Sequence, residues 1–158
     1  MERVKGAFFL RVILQRVSHA AVEIEGETVG KIGVGILVLV AVHQEDTEQE
    51  IEKMADKVAG LRIFEDEEGK MNRSLAEVGG ALLVVSNFTL YSDCKKGRRP
   101  SFFQSARPEK AIPLYKQFLH CLRATGLSVQ CGEFGADMQV SLTNDGPVTL
   151  VLDTDQWK

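Results

Sequence analysis

The stretch Ser141-Leu142-Thr143-Asn144-Asp145-Gly146-Pro147-Val148-Thr149-Leu150 constrains the fold of this chain more than any other. Apolar residues flank its centre, at Val140 and Leu142 on one side and Val148, Leu150, Val151 and Leu152 on the other, which reads as two strands joined by a polar tip. The tip holds four strong turn formers, each for its own reason. Asn144 and Asp145 can bond their own backbone, Gly146 tolerates positive φ, and Pro147 fixes φ and lacks an N–H. A plain turn between strands is the reading of these residue types alone.

A chain of 158 residues is one ordinary domain, and its 44% hydrophobic and 26% charged residues are those of a globular protein. No apolar run approaches the roughly 20 residues of a membrane helix. The run Ala7-Phe8-Phe9-Leu10 is cut by Arg11, too short for a signal-peptide core, which argues for the cytosol. Cys94, Cys121 and Cys131 are odd in number and show no Cys-x-x-Cys spacing, so neither a disulfide framework nor a zinc site is expected. His19, His43 and His120 are scattered, and no metal or cofactor is expected. A net charge of −3 does not advertise a nucleic-acid binder, yet Lys95, Lys96, Arg98 and Arg99 crowd into five positions. That run is either a solvated loop or a surface for phosphates.

Along the chain, Arg11–Val17 reads as a strand, residues 22–25 and 28–32 as a hairpin turning at Gly26-Glu27, and residues 36–42 as a strand covered on both faces. Thr47-Glu48-Gln49-Glu50 is a capping box, and Ile51, Met54, Ala55, Val58 and Leu61 follow at helical spacing, predicting a helix over 47–61. A short strand starts at residues 62–64, and residues 81–86 form a central one. Pro108 and Gly126 bracket a second helix whose apolar face is Leu114, Phe118, Leu119 and Leu122, with Pro113 near its front. Residues 129–134, 138–143 and 148–152 complete the strands.

The central strand runs on into Ser86-Asn87-Phe88-Thr89-Leu90. As isolated residues, these are hydroxyls and an amide satisfying a strand end. If the strand continues, the Phe88 side chain points away from the hydroxyls and packs in the core. Taken with Asn144-Asp145-Gly146-Pro147-Val148-Thr149, however, the block resembles the paired signatures of the D-aminoacyl-tRNA deacylase family, Ser-Gln-x-Thr-Leu and Asn-x-Gly-Pro-x-Thr. The second signature matches fully; the first departs at Asn87, where the family has Gln. Arg11–Val17 is similar to the family's opening strand and Lys96-Gly97-Arg98-Arg99-Pro100-Ser101-Phe102 to its basic loop, so the resemblance covers the chain from about residue 11 onward.

The resemblance implies an α+β fold, a mainly antiparallel β-barrel or sheet flanked by two helices, forming a homodimer. It divides the chain into an extension at residues 1–9 and one deacylase domain at 10–158, with Leu10 standing where family members have their initiator Met. The implied reaction is chiral proofreading: hydrolysis of the ester that joins a D-amino acid to the 3′-terminal adenosine of tRNA. Ser86, Asn87, Phe88 and Thr89 would form the catalytic block, with Thr89 either a nucleophile or, as the residues favour, a positioning group beside main-chain N–H donors. Gly146 and Pro147, joined by a cis bond, would exclude L-amino acids from the partner subunit's site. Phe134, Gly135 and Met138 would line the adenosine pocket, Arg16 would buttress the tip, and the four basic residues would meet tRNA phosphates. Two other classes remain. A general esterase or peptidase finds no triad or metal set in the sequence, and a non-catalytic RNA-binding module has the basic loop but an acidic whole.

Overall fold

The computed structural model describes residues 10–154. The extension at residues 1–9 lies outside the described residues. Eight strands and two helices run in the order β1 (Arg11–Ile24), β2 (Glu27–Ile32), β3 (Gly35–Ala41), α1 (Glu48–Gly60), β4 (Phe64–Glu65), β5 (Met71–Arg73), β6 (Ala81–Ser86), a 3-10 helix (Phe88–Tyr91), α2 (Pro108–Ala124), β7 (Ser128–Cys131) and β8 (Gln139–Asp153). The fold is α+β. No helix of the described residues is long and apolar enough to cross a membrane.

The main sheet is mixed, with antiparallel pairing in the majority. β1 pairs antiparallel with β2, β3 and β8, whereas β3–β6 and β6–β7 are parallel. The connections dictate this. β3 reaches β6 through α1 and the small β4–β5 hairpin, and β6 reaches β7 through α2; such crossovers return the chain in the same direction. The sheet curls until β2 lies over β7. At Gly30 a Cβ would stand 3.0 Å from Leu83 Cδ1 and 3.2 Å from the carbonyl oxygen of Cys131, so close approach there needs glycine. The result is a nearly closed barrel.

Strand parity divides the core in two. Ile36, Val38 and Val40 of β3, with Leu82 and Val84 of β6, meet the apolar faces of α1 (Ile51, Met54, Val58) and α2 (Leu114, Phe118, Leu122). Leu37, Leu83 and Val85 point the other way, into the barrel, against Val17, Ala20, Val22 and Ile32. Both faces of β3 and β6 are thus covered, which is why these strands read as continuous apolar runs. Removing one such side chain, as in Leu82→Ala, is worth about 2–5 kcal/mol.

A bulge in β1 carries its even-numbered side chains from one core to the other. Val12 and Leu14 face the helices; beyond the irregularity between Val17 and His19, Ala20 and Val22 face the barrel interior. One extra residue inverts the alternation. The capping box at Thr47 forms as expected, Pro108 opens α2, and Gly126 follows its end at φ 89°. The β1–β2 turn falls one residue earlier than Gly26-Glu27: Glu25 and Gly26 both take positive φ, 51° and 80°, as a tight hairpin turn requires.

The reading of residues 138–152 as two strands joined by a tip is corrected. β8 is one strand of 15 residues, and both of its halves pair with β1. Between the pairs Gln15–Thr149 and Val17–Asn144, β1 advances two residues and β8 five, so Asp145, Gly146 and Pro147 bulge out of a continuous strand. Three extra residues again invert parity, which lets Leu150 and Leu152 join the helix-side core and Leu142 the barrel core.

Candidate active site

A cavity of about 580 Å³ opens at the carboxyl ends of β3 and β6. Its walls include Ser86, Asn87, Phe88 and Thr89 on one side and Phe134, Gly135 and Met138 on another. Seven of the residues singled out in the sequence therefore meet in one place. Gln15, Ser105, Tyr115 and Asp137 also line it. The sequence carried two faint signals for these: Gln15 is a polar residue within an apolar strand, and Tyr115 carries a hydroxyl among the apolar residues of α2.

The strand does not continue through Phe88, so the expectation that its side chain packs in the core is corrected. β6 ends at Ser86, and the chain turns into the 3-10 helix, leaving Phe88 55% exposed and edge-on to Phe102, with ring centroids 5.1 Å apart. The turn is anchored at its start by Asn87 N–H, which donates to the Val40 carbonyl at 2.8 Å. Leu90 N–H then donates to the Asn87 carbonyl at 3.2 Å, so the amides of Phe88 and Thr89 precede the first bonded turn. The Thr89 hydroxyl donates to the Asn87 side-chain carbonyl. Of the described residues lining the cavity, only Asp137 and Tyr115 are titratable. Burial pushes the Tyr115 hydroxyl well up, and it donates to the Val84 carbonyl at 3.4 Å, so it stays protonated.

Gly146, Pro147 and Arg16 do not line this cavity. The bulge they form stands apart, held by its own bonds. Asn144 spans it, accepting from Val148 N–H at 3.1 Å and donating to the Thr149 hydroxyl at 3.0 Å. Beneath it Arg16 is buried, donating from Nε to the Asp145 carbonyl at 3.1 Å and from Nη1 to the Ile63 carbonyl at 2.8 Å. Glu65 and the Asp145 carboxylate stand 3.8 and 3.7 Å from the guanidinium, supplying charge. The Gly146–Pro147 bond is cis, and Gly146 sits at φ 131°, where an added Cβ would lie 2.8 Å from Val148 Cγ2 and 3.2 Å from Arg16 Nη2.

Lys95, Lys96, Arg98 and Arg99 are exposed and also lie outside the cavity walls. Their loop is closed by paired bonds between Asp93 and Ser101, at 2.7 and 2.8 Å, which present the basic residues at its tip.

Behind the 3-10 helix lies a buried polar group that the sequence reading missed. His43 packs edge-on to Tyr91 at 5.4 Å, and Arg11 lies over the same ring at 5.1 Å. Asp46 is 1% exposed and accepts from His43 N–H at 2.7 Å through Oδ2, while Oδ1 finds no hydrogen-bond partner. Burial, with Glu50 and Asp153 adding to it, raises the Asp46 carboxyl to about 7. Burial lowers His43. Among the described residues, no three His, Cys, Asp or Glu side chains gather in a way that could hold a metal ion.

Comparison with known proteins places this arrangement. The chain is 56% identical over 147 residues to a D-aminoacyl-tRNA deacylase of Symbiobacterium thermophilum, covering 93% of this chain and 97% of that one. A D-aminoacyl-tRNA deacylase of Brevibacillus brevis is 57% identical over 145 residues, covering 92% and 100%. Among solved structures, one titled c-Myc DNA Unwinding Element Binding Protein superposes with a TM-score of 0.84 at 42% identity, covering 90% of this chain and 97% of that one. A probable eukaryotic D-amino acid tRNA deacylase shares the fold, with a TM-score of 0.80 at 21% identity, covering 92% and 99%. The family described as D-Tyr-tRNA(Tyr) deacylase matches residues 13–153, from the opening strand through both signature blocks. By that match, and by relatives that are more than half identical along nearly their whole length, this chain belongs to the D-Tyr-tRNA(Tyr) deacylase family, a family of hydrolases.

Proposed function

We propose that this chain hydrolyses the ester of D-aminoacyl-tRNA, and of glycyl-tRNA, by positioning it rather than by attacking it. The observation that carries this is the state of Thr89. Its hydroxyl is committed to the Asn87 amide, and an amide oxygen is no base to take up the proton of an attacking hydroxyl. An aminoacyl ester is already labile, and a site that orients it and stabilises the oxyanion suffices. The amides of Phe88 and Thr89, at the start of the 3-10 helix, serve as oxyanion donors, while the ribose 2′-hydroxyl of the terminal adenosine helps to activate water. Phe134, Gly135 and Met138 accept that adenosine, and Lys95, Lys96, Arg98 and Arg99 meet phosphates further along the tRNA.

Gly146 and Pro147 provide the chiral filter. Main-chain atoms pressed against Cα exclude an L side chain whatever its chemistry and leave a D side chain free. That the bulge stands apart from its own chain's cavity supports a homodimer in which each bulge enters the partner's cavity. The exposed apolar residues Val140 and Val151 of β8 are available to such an interface. The substrate places the reaction in the cytoplasm.

Binding of nucleic acid without hydrolysis is the second reading, favoured by the basic loop and by the similarity to the solved c-Myc DNA Unwinding Element Binding Protein. Release of free D-alanine from D-alanyl-tRNA, beside a simple aryl ester and an uncharged-tRNA binding control, separates the two. Binding with no release contradicts the proposal.

A further inference from the structure

Phe103 is 62% exposed, the most exposed of the large hydrophobic residues described. It is also held firmly. It lies in a turn closed by Ser105 N–H, which donates to the Phe102 carbonyl at 3.1 Å. The segment after it is clamped to the end of β3: Gln44 N–H donates to the Gln104 carbonyl at 3.0 Å, and Ala106 N–H to the Val42 carbonyl at 2.8 Å. On one side of Phe103, Phe102 packs on Phe88 of the cavity wall; on the other, Ser105 and Ala106 are themselves wall residues. Just before it in sequence come Lys95, Lys96, Arg98 and Arg99. A large aromatic ring kept in water by a rigid backbone, beside a cavity mouth and next to four cations, has the makeup of a stacking platform for single-stranded nucleic acid.

We infer that Phe103 stacks on an unpaired base of the tRNA 3′ end, one or two nucleotides before the adenosine that enters the cavity. This rests on the proposed function, since it takes the cavity as the seat of that adenosine. Phe103 is two residues from the wall residue Ser105, at most about 7 Å of chain, which is within the span of two stacked nucleotides at about 3.4 Å each. A ring offers its face to any base, so the contact does not depend on which amino acid the tRNA carries. The four cations then meet the phosphates of the same strand.

The test uses the full chain with two esters, D-alanyl-tRNA and 2′(3′)-O-D-alanyl-adenosine, which ends where the cavity ends. Phe103→Ala and Phe103→Leu should raise KM for the tRNA ester by about tenfold, with a much smaller change on the adenosine ester. Phe103→Trp should restore it. A second readout is independent of catalysis: a single-stranded oligonucleotide ending in CCA, with 2-aminopurine replacing the base next to the terminal adenosine. The wild type should quench its fluorescence and Phe103→Ala should not. Equal losses on both esters, an unchanged KM for tRNA, equal quenching, or loss of dimer by light scattering in Phe103→Ala would overturn the inference. If the wild type cleaves neither ester, the proposed function fails, and the quenching alone decides the stacking.

Discussion

The hydroxyl of Thr89 donates its hydrogen bond to the side-chain carbonyl of Asn87, two residues earlier in the same turn. Its proton is therefore occupied, and the lone pairs are what it offers to the cavity. Thr89→Val, which keeps the shape and removes the hydroxyl, should lower kcat on D-alanyl-tRNA by roughly ten- to hundredfold, about 1.4–2.7 kcal/mol on the barrier. Loss of all measurable turnover would identify Thr89 as the nucleophile. Asn87→Gln restores the family's residue with the same amide on a stem longer by one methylene, and should keep or improve turnover; a loss beyond about tenfold would show a site adapted to asparagine.

Arg16 holds the Gly-Pro bulge through the main-chain carbonyl of Asp145 while a second guanidinium nitrogen bonds Ile63. A lysine ammonium is a single point and cannot reproduce that fork. Arg16→Lys should therefore lower the ratio of D-alanyl- to L-alanyl-tRNA cleavage by about tenfold. Gly146→Ala should act in the same direction, because its Cβ would push on Val148 and on Arg16. An unchanged ratio in both variants would remove the bulge from the selection mechanism.

Much of this fold was legible in the sequence because its signals are local. Thr47 and Glu50 announce a helix start by the bonds they make to each other, and Pro108 and Gly126 bracket α2 by their own backbone limits. The bulge was not legible. Asn144-Asp145-Gly146-Pro147 has the same turn chemistry in a hairpin as in a bulge, and the decision comes from β1, more than 120 residues away, which pairs with both arms. The parallel pairing of β3, β6 and β7 is likewise set by crossovers, not by the strands themselves. The turn at Phe88–Tyr91 contains no glycine or proline to mark it. Asp46 reads as an ordinary residue before a helix cap, and only burial makes it unusual.

The basic loop should reveal itself through salt. If Lys95, Lys96, Arg98 and Arg99 meet tRNA phosphates, the logarithm of affinity falls linearly with the logarithm of salt concentration. Replacing two of them by glutamine should reduce that slope by about 1.5. An unchanged slope would return the run to a solvated loop.

Asp46 should make stability depend on pH. Burial raises its carboxyl from 3.8 to about 7 in the folded chain, so between those values the folded state binds a proton that the unfolded state has lost. Its contribution is full at low pH and is lost as pH rises, by at most about 1.4 kcal/mol per unit. His43, lowered by burial, works in the opposite sense as pH falls below 6.5, so the comparison must be with a variant that retains it. Urea unfolding of the wild type and Asp46→Asn at about pH 5 and about pH 8 isolates the carboxyl. The advantage of the wild type over the variant should shrink at the higher pH; a constant difference would contradict the assignment.

Hydrolysis of D-alanyl-, glycyl- and L-alanyl-tRNA at equal enzyme concentration tests the central claim most directly. A filter made of main-chain atoms at Gly146 and Pro147 acts only on a substituent that is present. Glycine has none, so D-alanyl- and glycyl-tRNA should both be cleaved, while L-alanyl-tRNA, larger than glycyl-tRNA by one methyl, should survive. Cleavage of D-alanyl-tRNA with glycyl-tRNA left intact would contradict selection by rejection, and an intact D-alanyl-tRNA would contradict the deacylase itself.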